Sequence, residues 1–382
     1  MKNIQYIQYF FFAILFVFNA CQETKVEENE TTIKVGVFGQ NGASPINITD
    51  AVEALKIDKD ISPRVISVID ILSGAADDID VFLFPGGSGR FQTGNLGEQG
   101  QQKINSLIKT KGKGAIGICA GAYALTETPD YPGLALSGAE AIDIEHDNRG
   151  HGLVKFSLTE EGKKIFPELK DSEVSFSQYY EGPVLIPAKE SKYKYIELAT
   201  MLSDVHTVEG APAGMTVNRP FIIITNVEKG KTASIVGHPE STPGMRWIVP
   251  RLVRYVADKE LISYSDKVVR PELHTKEVLF TEELLEKRYK LYLDLFKSKD
   301  EKIKAMQELV DMKARPVIRH DLIPMLRNKN FEIRLKAAEL IVYLERTEGI
   351  DDLNLTISLE QNSENKKKLE EQLVLLESLL GK

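Results

Sequence analysis

Hydrophobic positions follow three successive patterns along this chain. The first is an unbroken apolar run from Phe10 to Phe18, behind the weakly basic start Met1–Lys2. It is shorter than the ~20 residues a membrane-crossing helix needs and has the length of a signal-peptide core. In the second, short apolar runs alternate with polar, helix-period stretches. Strands are expected at residues 33–38, 64–69, 81–84, 114–118 and 233–237, and helices near 48–55, 101–110 and 245–257. Val81-Phe82-Leu83-Phe84 is apolar at successive positions, as a strand covered on both faces requires. In the third, residues 281–297, 300–312, 317–327, 331–346 and 365–380 place apolar side chains three and four apart, the period of helices. Pro316 and Pro324 interrupt that run and rule against a continuous coiled coil.

Strands alternating with helices predict an α/β fold, doubly wound around a mostly parallel sheet, followed by an all-α region. The expected organisation is a signal peptide (1–20), a tether (21–31), an α/β domain (32–262), a linker (263–280) and a helical domain (281–382). In an open parallel sheet, ligands bind beyond the carboxyl ends of the strands. Two glycine-rich loops fall at such ends, Pro85-Gly86-Gly87-Ser88-Gly89 and Gly117-Ile118-Cys119-Ala120-Gly121.

The second loop carries the strongest chemical signal. A nucleophile elbow needs small residues on both sides, because the tight turn crowds its neighbours while lifting the nucleophile above the sheet. A helix starting at Cys119 would offer its amide N–H groups and dipole to a thiolate. The plain alternative is a buried cysteine at a strand end. Much later, the strand at 233–237 leads into His238-Pro239-Glu240. A cysteine nucleophile needs an imidazole as base, and the imidazole needs an acid to fix its tautomer. One loop supplies both.

In this order, Pro85-Gly86-Gly87, Gly117 to Gly121 and His238-Pro239-Glu240 resemble the class I glutamine amidotransferase-like superfamily. The elbow continued to Ala122-Tyr123, with Tyr179-Tyr180-Glu181-Gly182-Pro183, is similar to the domain named after the N-terminal part of a biotin–protein ligase. The resemblance covers roughly residues 32–262. It implies Cys119 as nucleophile, His238 as base and Glu240 as its orienting acid. The backbone of Gly86, Gly87 and Ala120 would form the oxyanion site, with Tyr123 beside the substrate. Tyr179, Tyr180 and Glu181 are candidates for the substrate-pocket lining, against the alternative of an aromatic packing corner. Glutamine-using members usually carry glutamine where this chain has Tyr123, so glutamine recognition is not implied. Neither a synthetase nor a ligase domain is expected within these 382 residues, which disfavours a glutaminase feeding a biosynthetic partner.

Composition narrows the partners. Hydrophobic residues at 42% and charged residues at 27% are the balance of a folded protein, and a net charge of −8 argues against nucleic acid. With 2 cysteines, Cys21 and Cys119, there is no disulfide framework. Phe18-Asn19-Ala20-Cys21 resembles a bacterial lipobox, which implies cleavage before Cys21, its acylation, and an envelope lipoprotein on the periplasmic or surface face. Glu145, His146, Asp147 and His151 read as a charged, solvated turn rather than metal ligands. Pro85 to Gly89 lacks the ending of a phosphate loop, and no cofactor or metal is expected. His206, His274 and His320 belong to no recognisable constellation. Residues 330–338 look like the start of the second helix of a HEAT-type repeat, open to a protein partner, against a plain helical cap. The functional expectation is a membrane-anchored cysteine hydrolase of a small amide. The alternative is a non-catalytic binding module using the same pocket and the helical tail.

Overall fold

The computed structural model describes residues 32–314 and 319–381. The apolar run, Cys21, the acidic segment to residue 31 and Pro316 lie outside the described residues. The α/β region runs β1 (Ile33–Phe38), α1 (Pro45–Leu55), β2 (Ile61–Ile66), α2 (Val68–Ser73), β3 (Val81–Phe84), α3 (Gly89–Lys109), β4 (Gly114–Ile118) and α4 (Ala120–Ala124). It continues through β5 (Ala139–Ala141), β6 (His151–Leu158), α5 (Glu160–Ile165), β7 (Ser175–Tyr180), β8 (Leu185–Pro187), β9 (Tyr195–Met201), β10 (Pro220–Val227), β11 (Gly230–Ile235) and α6 (Ile248–Val256). After β12 (Val278–Leu279) come α7 (Glu282–Asp294), α8 (Lys299–Asp311), α9 (Arg319–Met325), α10 (Phe331–Tyr343), α11 (Ile350–Leu359) and α12 (Ser363–Glu377).

The sheet is mixed, in the order β12-β6-β9-β10-β11-β4-β3-β1-β2, with β7 also paired to β6. The expected parallel sheet is its half β2-β1-β3-β4-β11. From β10 outward the pairing is antiparallel, a half absent from the expected strands. Side chains in the parallel half alternate between two apolar layers, as the two-residue period of a strand demands. Val81 and Leu83 face α1 and α6, while Phe82 and Phe84 face α3. The first layer runs on into the helical region through Leu291, Ala305, Ala337 and Leu376. From Ile33 onward the chain forms one compact unit.

Two boundaries differ from expectation for local reasons. The second strand occupies Ile61–Ile66 rather than 64–69. Ser67 and Asp70 form a reciprocal capping box that starts α2, which overrides the strand preference of Val68 and Ile69. Helix α3 begins at Gly89, and its first half was hidden by Gly94, Gly97 and Gly100; Gly97 (φ 61°) kinks it. Helix α11 was absent from the expected set. Residues 263–280 carry β12 and bury Val268, His274 and Phe280. Among the described residues, no helix is long and apolar enough to cross a membrane.

Candidate active site

The site lies where β3, β4 and β11 end. Cys119 follows β4 directly with φ 53° and ψ −107°, a conformation that costs a non-glycine residue about 1–3 kcal/mol. Its neighbours explain why the turn is possible. A Cβ on Gly121 would lie 1.8 Å from the Phe84 carbonyl oxygen, so only glycine lets the elbow back onto β3. The Cys119 N–H donates to the Ile235 carbonyl at 2.8 Å, tying the elbow to β11. Cys119 is 6% exposed, and its Sγ–H donates to the Tyr180 carbonyl at 3.3 Å. The helix behind it, α4, is a single turn, so its dipole is small.

The His238 imidazole enters from the end of β11. His238 and Glu240 are each 1% exposed, and His238 Nδ1 meets Glu240 Oε1 at 2.6 Å. Such a contact fixes the tautomer with Nδ1 protonated and leaves Nε2 as the basic nitrogen. The ring packs against Gly86, where a Cβ would stand 2.8 Å from His238 Cε1. His238 N–H donates to the Gln178 carbonyl at 2.6 Å, which sets the loop against β7.

Cys119 and His238 line one cavity of about 560 Å³, together with Gly87, Ala120, Tyr123, Tyr180 and Glu181. Gly86 and Glu240 stand behind that wall. Gly87 has φ 140°, and a Cβ there would lie 2.1 Å from the Gly42 carbonyl oxygen. The bridge beside it uses the Ser44 and Ser88 N–H groups, so the Gly87 N–H is not spent on it. Ala120 heads α4, where amides have no acceptor within the helix. Gly87 and Ala120 both line the cavity that Cys119 lines.

Sequence reasoning missed the support beneath the cavity. The Tyr123 hydroxyl donates to Asp143 at 2.5 Å, and Asp143 pairs with Arg149, both fully buried. Arg149 also donates to the Tyr179 hydroxyl and, at 2.8 Å, to the Gly182 carbonyl. Tyr179 thus belongs to this buried network and not to the cavity lining. Asp143 and Arg149 flank a polar stretch whose exposed Glu145 and Asp147 fit the solvated turn expected there. That polarity is what hid the pair. His151 stacks between Tyr180 and Phe280, with ring centroids 4.6 and 5.2 Å away. His274 Nε2–H donates to the Pro243 carbonyl at 2.9 Å, and burial pushes its pKa down to about 4. Among the described residues, no group of His, Cys, Asp and Glu could hold a metal ion.

The cavity wall also carries Arg90, whose guanidinium lies 4.9 Å over the Tyr131 ring, and Asp147. Glu181 has φ 55°. Burial pushes its carboxyl up to about 7, and the Asp147 charge adds to this while Arg149 opposes it. Below the unfolded value of ~4.3 the group is protonated in both states, so its favourable contribution is complete there and is lost as pH rises through 7. Glu181→Gln mimics the protonated form. Its melting temperature should match the native protein near pH ~4 and exceed it near pH ~8. An equal difference at both pH values would show that the fold does not hold this proton.

No family model matches the sequence, and no curated protein matches it. Among solved structures the chain is similar to the glutaminase domain of a Trypanosoma brucei CTPS with bound acivicin. That match is 11% identical with a TM-score of 0.41, covering 61% of this chain and 97% of that one. A protein from Parabacteroides merdae described as ThuA-like is 12% identical with a TM-score of 0.43, over 62% of this chain and 94% of that one. A β-galactosidase from Bacillus circulans is 12% identical with a TM-score of 0.36, over 60% of this chain and 31% of that one. Likenesses this distant concern the sheet-and-helix layout alone, and the chemistry of the site rests on this chain's own geometry.

Proposed function

We propose that this chain is a cysteine-nucleophile hydrolase of small amides, on an amidotransferase-like α/β fold held at a lipid surface through acylated Cys21. The observation that carries the chemistry is the 2.6 Å His238–Glu240 contact in a loop whose imidazole shares one cavity with Cys119. In this reading His238 Nε2 takes the thiol proton and Cys119 Sγ forms a bond to the carbonyl carbon. The oxygen, now negative, accepts from the Gly87 and Ala120 N–H groups. As the C–N bond breaks, the imidazolium returns the proton to the leaving amine. Water, deprotonated by His238, then releases the acid and regenerates the thiol. A cavity of about 560 Å³ suits a small amide. Tyr123 engages Asp143, and its place in the elbow is where glutamine-using relatives of the resembled family carry glutamine, so a substrate other than glutamine is favoured. The lipid anchor is supported by the lipobox-like sequence alone. The helical region is read as HEAT-like, α7 packing on α8 and α9 on α10, with a protein-docking role.

One set of strains tests both halves. Membranes from cells expressing the native protein, Cys21→Ser and Cys119→Ser are washed, and the purified proteins are incubated with a panel of small amides. The acyl-thioester mass increment should form on the native protein and on Cys21→Ser but not on Cys119→Ser. Only Cys21→Ser should move to the soluble fraction. Tight binding of an amide with no thioester and no product would replace the hydrolase with the binding module. Retention of Cys21→Ser in washed membranes would remove the lipid anchor.

A further inference from the structure

The His238 loop is held from two directions, and one of them is the helical region. Helices α8 and α10 each end in a left-handed residue that is not glycine, Lys313 (φ 56°) and Glu345 (φ 56°). Glycine is the usual occupant of such an end. Both residues turn toward the segments that carry His238. The Lys313 carbonyl accepts from Gln178 Nε2 at 2.7 Å, and Gln178 in turn accepts the His238 N–H. Glu345 is 1% exposed, and its Oε1 accepts the Gly244 N–H at 2.9 Å and the Arg270 guanidinium. Its carbonyl accepts from Arg246. The next residue, Arg346, donates to Asp50 Oδ1 at 2.6 Å, while Asp50 Oδ2 accepts the Ser241 hydroxyl at 2.6 Å. Ser241 directly follows Glu240. The loop is thus gripped at Ser241, Gly244 and Arg246 by one corner of the helical region. A glycine at 345 would end α10 with less strain but would take away the acceptor of the Gly244 N–H.

We propose that Glu345 and Arg346 are positioning residues for the His238–Glu240 pair, which makes the helical region part of the scaffold of the site. This rests on the cysteine-hydrolase reading. They touch no reacting atom and act through the Gly244 N–H, the Arg246 side chain and, by way of Asp50, the Ser241 hydroxyl.

The test uses the full-length chain and two readouts, the rate of Cys119 alkylation and the His238 ring-nitrogen signals in protein labelled at histidine nitrogen. Glu345→Ala should slow alkylation several-fold and move the His238 signals. Glu345→Gln, which keeps an acceptor for the Gly244 N–H, should restore most of both. Thr347→Val removes the 2.6 Å bond from the Thr347 hydroxyl to Glu53, at the same interface but away from the loop, and should leave both readouts unchanged. If Glu345→Ala does not fold, Ser241→Ala cuts the Asp50 link and should move the same readouts. Unchanged His238 signals in Glu345→Ala, or an equal disturbance in Thr347→Val, would overturn the proposal. Failure of His238→Ala to slow alkylation would instead sink the hydrolase reading, and the ring signals would still decide the positioning role.

Discussion

Replacing His238 with alanine should slow the alkylation of Cys119 by iodoacetamide near pH 6 by roughly tenfold in the folded protein. The size follows from two opposing effects. A thiol with a pKa of ~8.5 is only ~0.3% thiolate at that pH, whereas one with a pKa of ~6.5 is about a quarter thiolate, a gain of ~80-fold. The more acidic thiolate is a poorer nucleophile, and a Brønsted slope of ~0.45 takes back roughly eightfold. The buried Nδ1–Glu240 contact is what equips His238 to become the imidazolium partner of such a thiolate. Glu240→Gln should have the smaller effect, because Glu240 touches the thiol only through His238. An unchanged melting temperature must accompany each rate, since unfolding exposes the thiol trivially. Native protein that alkylates no faster than a model thiol, with neither substitution mattering, would end the catalytic reading.

The parts of this site that could be read from sequence are those whose chemistry is local. Gly117 to Gly121 announce an elbow because crowding within a few residues demands it, and Cys119 has the strained φ that such a turn imposes. The spacing of His238 and Glu240 places donor and acceptor on one short turn, and they meet. Strand β3 was legible because a strand covered on both faces must be apolar throughout. What stayed hidden depends on distant partners. Asp143 and Arg149 look like surface charges until each is seen to neutralise the other in the interior. The antiparallel strands β6, β7 and β9 mix polar and apolar positions, which weakens their signal, whereas β10 carries the plain apolar run Phe221–Ile224 and its absence from the expected strands has no such excuse. Glu345 and Arg346 sit at the end of an amphipathic helix, where charged residues are ordinary. Only the fold shows them buried against α1 and the His238 loop.

That burial makes Arg346 the site of the largest expected loss of stability. Its guanidinium is flanked by Asp50 at 2.6 Å and by Glu348 at 2.8 and 2.6 Å, and the Arg346 and Asp50 side chains are 4% and 1% exposed. Arg346→Met fills similar space but takes from the buried Asp50 carboxylate the guanidinium that donates to it at 2.6 Å. Breaking one side of a buried pair in this way costs about 3–5 kcal/mol, far more than the ~0–1 kcal/mol of a surface pair. Asp50→Asn in the same protein removes the carboxylate charge while still accepting from Ser241, so the double variant should be more stable than Arg346→Met alone. Urea unfolding followed by tryptophan fluorescence reports this directly, because Trp247 lies buried three residues beyond Gly244 in the loop that Glu345 holds. The midpoint should fall sharply in Arg346→Met and recover in part in the double variant. If Arg346→Met costs less than about 1 kcal/mol, the pair behaves as a surface contact and the corner is not a clamp.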